Sequence, residues 1–75
     1  MANFIYTKHA NLRIEQRNLS KAQIEQTVKN PDKILPSFRG RSLVQKDFSG
    51  KKLEVVYKKQ NDTVIIITAY RLTEG

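Results

Sequence analysis

Hydrophobic residues recur at two different intervals along this chain, and the change of interval divides it into two parts. Up to about residue 30, apolar positions lie mostly four residues apart, which is the spacing of one face of a helix. From residue 33 onward, apolar and polar positions alternate, as in half-buried strands. We therefore predict two helices followed by a series of strands.

Capping residues mark the ends of the helices. The first helix is predicted at about residues 7–17, and Asn18 follows it as the left-handed residue at which helices commonly end. The second helix begins after Ser20, because Ser20 and Gln23 have the spacing of a capping box. It ends at Asn30, since the residue before a proline avoids the helical region.

Four strands separated by short turns are predicted in the second part. Pro36 confines the first of them to a sheet edge or a bulge, and the last is apolar enough to be central. Helices and strands that are segregated in this way indicate a single α+β domain over residues 1–75, with two N-terminal helices on one face of a four-stranded antiparallel sheet. The strands are KILPSF, SLVQKDF, KLEVVYK and TVIIITAYRL, at residues 33–38, 42–48, 52–58 and 63–72.

A two-residue turn at residues 49–50 sets how the second and third strands pair. The pairing places four apolar residues on one face, as a core requires, and brings two polar side chains to the same face. The apolar residues are Val44, Phe48, Leu53 and Val55, and the polar ones are Lys46 and Tyr57.

The pairing of the last strand depends on the length of the turn at residues 61–62. A two-residue turn brings Tyr70 to the face that carries Tyr57, and a three-residue turn directs it away. The first alternative adds Ile66, Thr68 and Tyr70 to that face, and the second adds Ile65, Ile67 and Ala69.

The net charge of the chain indicates which classes of partner it would bind. The chain has 14 lysines and arginines against 7 acidic residues, and its net charge of +7 favours RNA or an acidic protein as the partner.

The composition also excludes some kinds of site. The chain has no cysteine, so disulfides and thiolate metal sites are excluded. The longest apolar run, residues 64–67, is far shorter than the ~20 residues of a membrane span. Because "MANFIY" also lacks the features of a secretory signal, we expect a cytoplasmic protein with no membrane partner.

The only histidine begins a basic stripe on the first helix. His9, Arg13 and Arg17 lie four residues apart, so their side chains share one side of the helix. On a helical wheel the plainly polar residues lie opposite this stripe and apolar residues flank it. We therefore expect the stripe to lean toward the domain body or along its rim. Because arginines are rarely buried alone, the stripe needs either an anionic ligand or salt bridges to Glu25 or Glu54.

A histidine beside arginines suits the cleavage of RNA. A general base takes the proton of the 2′-hydroxyl that attacks the phosphate, an acid protonates the leaving oxygen, and cations stabilise the phosphoryl oxygens. His9 is the candidate base, because histidine changes charge near neutral pH. Tyr57, Tyr70 or Lys46 is the candidate acid. We expect no metal site and no cofactor. A phosphate-binding site without catalysis would use the same residues.

Four segments together resemble a small bacterial domain family of unknown function, whose members open with H-x3-R-x3-R on the first helix. The segments are YTKHANLRIEQRNLS, NPDKILPSFRGR, KLEVVYK and IIITAY, and the resemblance covers roughly residues 5–71. That family is similar to the RelE/BrnT-like ribonuclease toxins of the barnase–EndoU–colicin–RelE superfamily. The resemblance implies a RelE-like fold and ancestral RNA cleavage. Its motif residues are His9, Arg13 and Arg17, with Lys46, Tyr57, Thr68 or Tyr70 beside them.

We therefore expect a metal-independent endoribonuclease of the toxin type. Its expected partners are RNA, free or ribosome-bound, and an acidic antitoxin or immunity protein. The alternative is a non-catalytic RNA- or protein-binding module of the same fold. The catalytic candidates are His9, Arg13, Arg17, Lys46, Tyr57 and Tyr70, and the RNA-binding candidates are Arg39, Arg41, Lys46, Thr68 and Arg71.

Overall fold

A mixed sheet with two helices on one of its faces makes up the structure. It is a computed structural model that describes residues 3–72, apart from the side chains of residues 37 and 38. The α+β class is confirmed, but the prediction of four antiparallel strands is wrong, because the sheet has five strands and one of them is parallel. The elements are β1 (Asn3–Tyr6), α1 (Lys8–Arg17), α2 (Lys21–Lys29), β2 (Lys33–Phe38), β3 (Arg41–Phe48), β4 (Lys51–Gln60) and β5 (Thr63–Leu72).

The additional strand is β1, at the start of the chain. It runs parallel to β5, with Phe4 opposite Val64 and Tyr6 opposite Ile66, and it makes the sheet order β1-β5-β4-β3-β2. Phe4 and Tyr6 pack against the core, while Ile5 between them is 52% exposed. A four-residue strand with one full alternation is too short for its period to be recognised in the sequence.

The predicted ends of both helices are confirmed. Asn18 adopts the left-handed conformation, with φ 56° and ψ 46°, and ends α1. The hydroxyl of Ser20 accepts a hydrogen bond from the backbone N–H of Gln23 at 3.3 Å, and α2 ends at Asn30. These side chains and conformations satisfy backbone groups that a helix leaves unpaired at its ends.

The core lies between the two helices and one face of the sheet. Helix α1 packs over β5, and α2 packs over β3 and β4. In the described residues no helix covers the opposite face of the sheet. The residues that are fully buried, or nearly so, include Ala10 and Ile24 from the helices and Val44, Val55 and Ile66 from the sheet.

The turn between β3 and β4 and the register of these two antiparallel strands are as predicted. Val44 pairs with Val55 and Lys46 with Leu53, across a turn in which Ser49 and Gly50 both have positive φ. Two consecutive positive φ angles give the hairpin turn whose twist matches the strands. Strand β2 is an edge strand, and its register shifts between Leu35 and Phe38, around Pro36, as the proline predicted.

A bulge divides β5 between the two predicted registers: the register of a two-residue turn holds up to Ile66, and the other register holds from Thr68 onward. Tyr57 pairs with Ile66, but its neighbour Val56 pairs with Thr68, so Ile67 is an extra residue in β5. An extra residue reverses which face the following side chains occupy. The predicted placement of Thr68 and Tyr70 beside Tyr57 is therefore wrong, and both lie on the face away from the helices. The helix-facing residues of β5 are Val64, Ile66, Ala69 and Arg71.

Asp32 ties the end of α2 to the β3–β4 hairpin. Its carboxylate accepts a hydrogen bond from the backbone N–H of Asp47 at 2.8 Å and lies 3.5 Å from the ammonium of Lys46. The hydrogen bond from Asp47, together with the charge of Lys46, lowers the pKa of Asp32 below its ordinary value of 3.8. Because the folded pKa lies below the unfolded one, the stabilisation is present above about pH 4 and is lost as the pH falls through the folded pKa.

We expect Asp32→Asn to flatten the acid limb of the stability profile. In urea unfolding between about pH 2 and pH 5, the free energy of unfolding of the unmodified protein should fall more steeply than that of the variant. Asp62→Asn makes the same chemical change at an exposed turn and should retain the original slope. Equal slopes for Asp32→Asn and the unmodified protein would show that this carboxylate does not contribute.

Candidate functional site

The start of α1 is tied to the bulge of β5 through one threonine. The hydroxyl of Thr7 accepts a hydrogen bond from the backbone N–H of Ala10 at 3.0 Å and donates one to the backbone carbonyl of Ile67 at 3.2 Å. Thr7 therefore caps the helix and attaches it to the sheet at the extra residue. Its capping role is the kind that threonine before a helix predicts; its bond to β5 has no signal in the sequence.

The basic stripe lies beside the buried face of α1. Ala10 and Ile14 are the buried residues of the helix, and they lie at about 100° and 140° on a wheel that starts at His9. His9 and Arg17 are exposed, and Arg13 is half-buried. The expectation that the stripe leans inward is therefore wrong for His9 and Arg17. Arg13 lies at the rim of the domain body, as the other alternative predicted. The apolar flank that suggested the lean included Leu12, which is 51% exposed.

His9 and Arg13 contact each other. The Nε–H of Arg13 points to Nε2 of His9 at 3.5 Å, and its Nη1 donates to the side-chain oxygen of Gln16 at 3.4 Å. At this distance the contact is a weak one, and it places the guanidinium of Arg13 beside the imidazole ring. Neither partner of Arg13 is a carboxylate, so its positive charge is not compensated by either contact.

The acidic residues that were expected to neutralise the stripe have other partners. Glu25 accepts a hydrogen bond from the hydroxyl of Tyr6 at 2.7 Å, and Glu54 accepts one from the side-chain amide of Gln45 at 2.7 Å. Burial and the neighbouring Glu25 carboxylate both raise the pKa of Tyr6. Within residues 3–72 no carboxylate forms a salt bridge with Arg13 or Arg17. The structural alternative, in which Glu25 or Glu54 pairs with the arginines, is therefore wrong.

A groove of about 520 Å³ continues the stripe at the C-terminal end of α1, lined by Arg17, Tyr70 and Arg71. The guanidinium of Arg71 donates to the backbone carbonyls of Arg17 at 3.3 Å and Asn18 at 3.4 Å. These carbonyls belong to the end of a helix, where backbone acceptors lack partners within the helix. A second groove of about 580 Å³ lies beside His9 and is lined by Lys8, His9, Asn11, Leu12 and Glu15.

Of the two strand residues that were predicted to meet the stripe, Lys46 contacts a different helix and Tyr57 packs against the core. Lys46 is on the predicted face, but its ammonium donates to the backbone carbonyl of Asn30 at 3.0 Å and pairs with Asp32. It therefore binds the end of α2, because α2 rather than α1 packs over β3. Tyr57 lies on the helix-facing side as predicted and packs, half-buried, against the core.

The remaining RNA-binding candidates are dispersed. Arg39 belongs to the turn between β2 and β3, and Arg41 begins β3; both are exposed. This turn lies at the β2–β3 side of the sheet, whereas α1 packs over β5 near the other edge. Thr68 is on the face away from the helices. Of the predicted residues, the structure thus gathers His9 with Arg13, and Arg17 with Tyr70 and Arg71.

Residues 3–72 contain no cluster of three or more histidine, cysteine or acidic side chains that would hold a metal ion. In the same range no helix is long and apolar enough to cross a membrane.

Comparison with known proteins gives a similar solved structure and a matching family model. A crystal structure of BrnT, a ribonuclease toxin from Brucella abortus, superimposes on 99% of this chain and on 100% of its own, with a TM-score of 0.75 and 15% sequence identity. At that identity the likeness shows the fold. No curated protein matches the chain. A family model described as a domain of unknown function, DUF4258, matches residues 6–71. Because that model spans most of the chain, the protein belongs to the DUF4258 family.

Proposed function

We propose that this protein is a small, metal-independent endoribonuclease of the toxin type, acting through the basic stripe of α1. The observation that carries the proposal is that Arg13 lies beside His9, with Arg17 farther along the same side of α1, and that neither arginine has an acidic partner in the described residues. Uncompensated arginines on one side of a helix form a site for a phosphate backbone. The fold similarity to a ribonuclease toxin, within the RelE/BrnT-like group, agrees with this chemistry.

The proposed reaction begins when a phosphate enters beside Arg13. A phosphoryl oxygen is a stronger acceptor for a guanidinium than an imidazole nitrogen at 3.5 Å. Arg13 therefore turns from His9 to the phosphate, and this exchange frees Nε2 of His9. The substrate itself makes the base available.

His9 then takes the proton of the 2′-hydroxyl as the 2′-oxygen bonds to phosphorus. The bond from phosphorus to the 5′-oxygen breaks, and that oxygen receives a proton from a water molecule. The hydroxide that remains takes the proton back from His9, which is exposed to solvent. The products are a 2′,3′-cyclic phosphate and a free 5′-hydroxyl. Arg13 stabilises the negative charge that grows on the phosphoryl oxygens. We assign no acid role to Lys46, whose ammonium is bound at the end of α2.

A non-catalytic RNA-binding module is the second candidate. It is favoured by the absence of an orienting partner for His9: among the described residues, its Nδ1 donates to no carboxylate or carbonyl. Catalytic histidines are commonly held by such a third group. The module would bind RNA through the same arginines with a strong dependence on salt, and would release no product.

The proposed partners follow from the same surface. We place the activity in the cytoplasm, on free or ribosome-bound RNA. An antitoxin with an acidic surface would neutralise the net charge of +7 and cover the stripe.

The test is cleavage of a labelled single-stranded RNA in EDTA, alone and with translating ribosomes. We expect fragments that end in a cyclic phosphate, and no cleavage of the same sequence made entirely of 2′-deoxynucleotides. Lys51→Ala removes one exposed charge at the β3–β4 turn and should leave the rate unchanged. Intact RNA under both conditions, with salt-dependent binding, would establish the binding module instead. Intact RNA without binding would overturn both candidates.

A further inference from the structure

The groove lined by Arg17, Tyr70 and Arg71 crosses an open edge of the sheet. Strand β1 pairs with β5 only as far as Ile66, so within residues 3–72 the later part of β5 has no strand neighbour on that side. Arg71 pairs with Leu53 and lies on the core face, whereas Tyr70 lies on the opposite face. The two side chains therefore bound the groove from both sides of the edge.

Arg71 allows an anion to lie at a helix end that would otherwise repel it. The C-terminal end of a helix carries a partial negative charge of about half a unit. Arg71 donates to two carbonyls there, those of Arg17 and Asn18. A guanidinium has five N–H donors, so about three remain for a ligand. With the exposed Arg17, the groove is lined by two cations and a half-buried aromatic ring.

The groove is too far from His9 to act on the same phosphate. Arg17 is eight residues beyond His9, which corresponds to about 12 Å along the helix axis. A general acid must come within about 3 Å of the atom it protonates. Tyr70 is therefore separated from the proposed reaction centre, and its role must be sought in binding.

We propose that this groove is a subsite for a nucleotide adjacent to the scissile phosphate of single-stranded RNA. The base stacks on the ring of Tyr70, and the phosphate of that nucleotide binds Arg17 and Arg71. The proposal rests on RNA as the substrate proposed above, and it makes Tyr70 a positioning residue rather than the acid. The preceding part of the stripe, His9 and Arg13, remains the reaction centre.

The subsite is tested by fluorescence anisotropy with a labelled 2′-O-methyl oligoribonucleotide, which has no 2′-hydroxyl to react. Stacking on an aromatic ring contributes enough that Tyr70→Ala should weaken binding about 5- to 100-fold. Tyr70→Phe retains the ring and should bind within about 2-fold of the unmodified protein. Arg17→Ala should reduce the slope of log affinity against log salt by about 0.7. Thr63→Ala, on the same face at the other end of the same strand, is the matched control.

An oligonucleotide that lacks one base gives a second readout. Placed at the stacking position, the missing base should weaken binding to the unmodified protein and make no further difference to Tyr70→Ala. Equal affinities for the unmodified protein and a folded Tyr70→Ala would overturn the subsite. If Tyr70→Ala does not fold, Tyr70→Leu replaces the packing without the aromatic ring, and the same comparison applies.

Failure of the subsite and failure of the proposed cleavage are distinguishable. If the protein cleaves no RNA but binding depends on the ring of Tyr70, the subsite holds and the chemistry does not. If the protein cleaves RNA and Tyr70→Ala raises neither KM nor the dissociation constant of the probe, the chemistry holds and the subsite is overturned. If both hold, KM rises in Tyr70→Ala while kcat stays close to its original value.

Discussion

His9→Ala is expected to lower the rate of RNA cleavage by about 10²- to 10⁴-fold, which is the usual contribution of a general base. The side chain is exposed on α1, so its removal leaves no cavity in the core. Alanine is also a better helix former than histidine, so the helix should persist. The measurement is the single-turnover rate on labelled RNA in EDTA, with circular dichroism as the check on folding.

Two further variants show whether His9 acts as a general base or only positions Arg13. His9→Gln keeps an acceptor for the Nε–H of Arg13 but cannot take a proton at neutral pH. It should be as inactive as His9→Ala. Recovery of activity in His9→Gln would mean that His9 acts by orienting Arg13. Lys51→Ala, at an exposed position away from α1, is the control for the loss of a polar side chain. An unchanged rate in His9→Ala would overturn the mechanism.

Ile66→Ala is expected to cost about 2–5 kcal/mol of folding free energy, as other removals of fully buried isoleucines do. Ile66 has no exposed surface and lies on the helix-facing side of β5, under α1. A domain of this size is stable by about 5 kcal/mol or somewhat more. The substitution therefore removes a large share of the free energy of folding. A substantial unfolded fraction should appear near 37 °C.

Urea unfolding followed by circular dichroism measures this loss directly. The midpoint should fall sharply in Ile66→Ala while the slope stays constant, since the surface exposed on unfolding is nearly the same. Ile5→Ala makes the identical chemical change in the neighbouring strand, where the side chain is 52% exposed, and should shift the midpoint far less. Equal shifts in the two variants would contradict the position of the core.

The elements whose ends carry a local chemical signal were predicted from the sequence. Asn18, Ser20 and the turn at residues 49–50 each satisfy a requirement within a few residues of themselves, so their signals survive in any fold. The β3–β4 register followed from the turn and the alternation of apolar residues, because only one pairing buries a continuous face. The motif residues of the candidate site were recognised for the same reason, as they share one helix.

The contacts between distant elements were not predicted, and the bulge at Ile67 shows why. Either register of β5 places apolar residues in the core, so the alternation could not choose between them. The extra residue instead contacts Thr7, sixty residues earlier, whose hydroxyl donates to its carbonyl, and a contact over that separation leaves no signal in the local alternation. The same holds for Lys46. The sheet face that carries its side chain was predicted, but its hydrogen-bond partner depends on which helix packs over β3.

The sequence by itself determined the α+β class, the ends of the helices, the hairpin and the His9-Arg13-Arg17 stripe, because these depend on interactions within a helix turn or a single pair of strands. The tertiary structure decided that β1 joins the sheet, that Tyr70 lies beside Arg17 rather than beside Tyr57, and that Glu25 and Glu54 bond to Tyr6 and Gln45 instead of to the stripe. Those outcomes require elements far apart in the chain to pack together, and packing alone selects which polar groups meet.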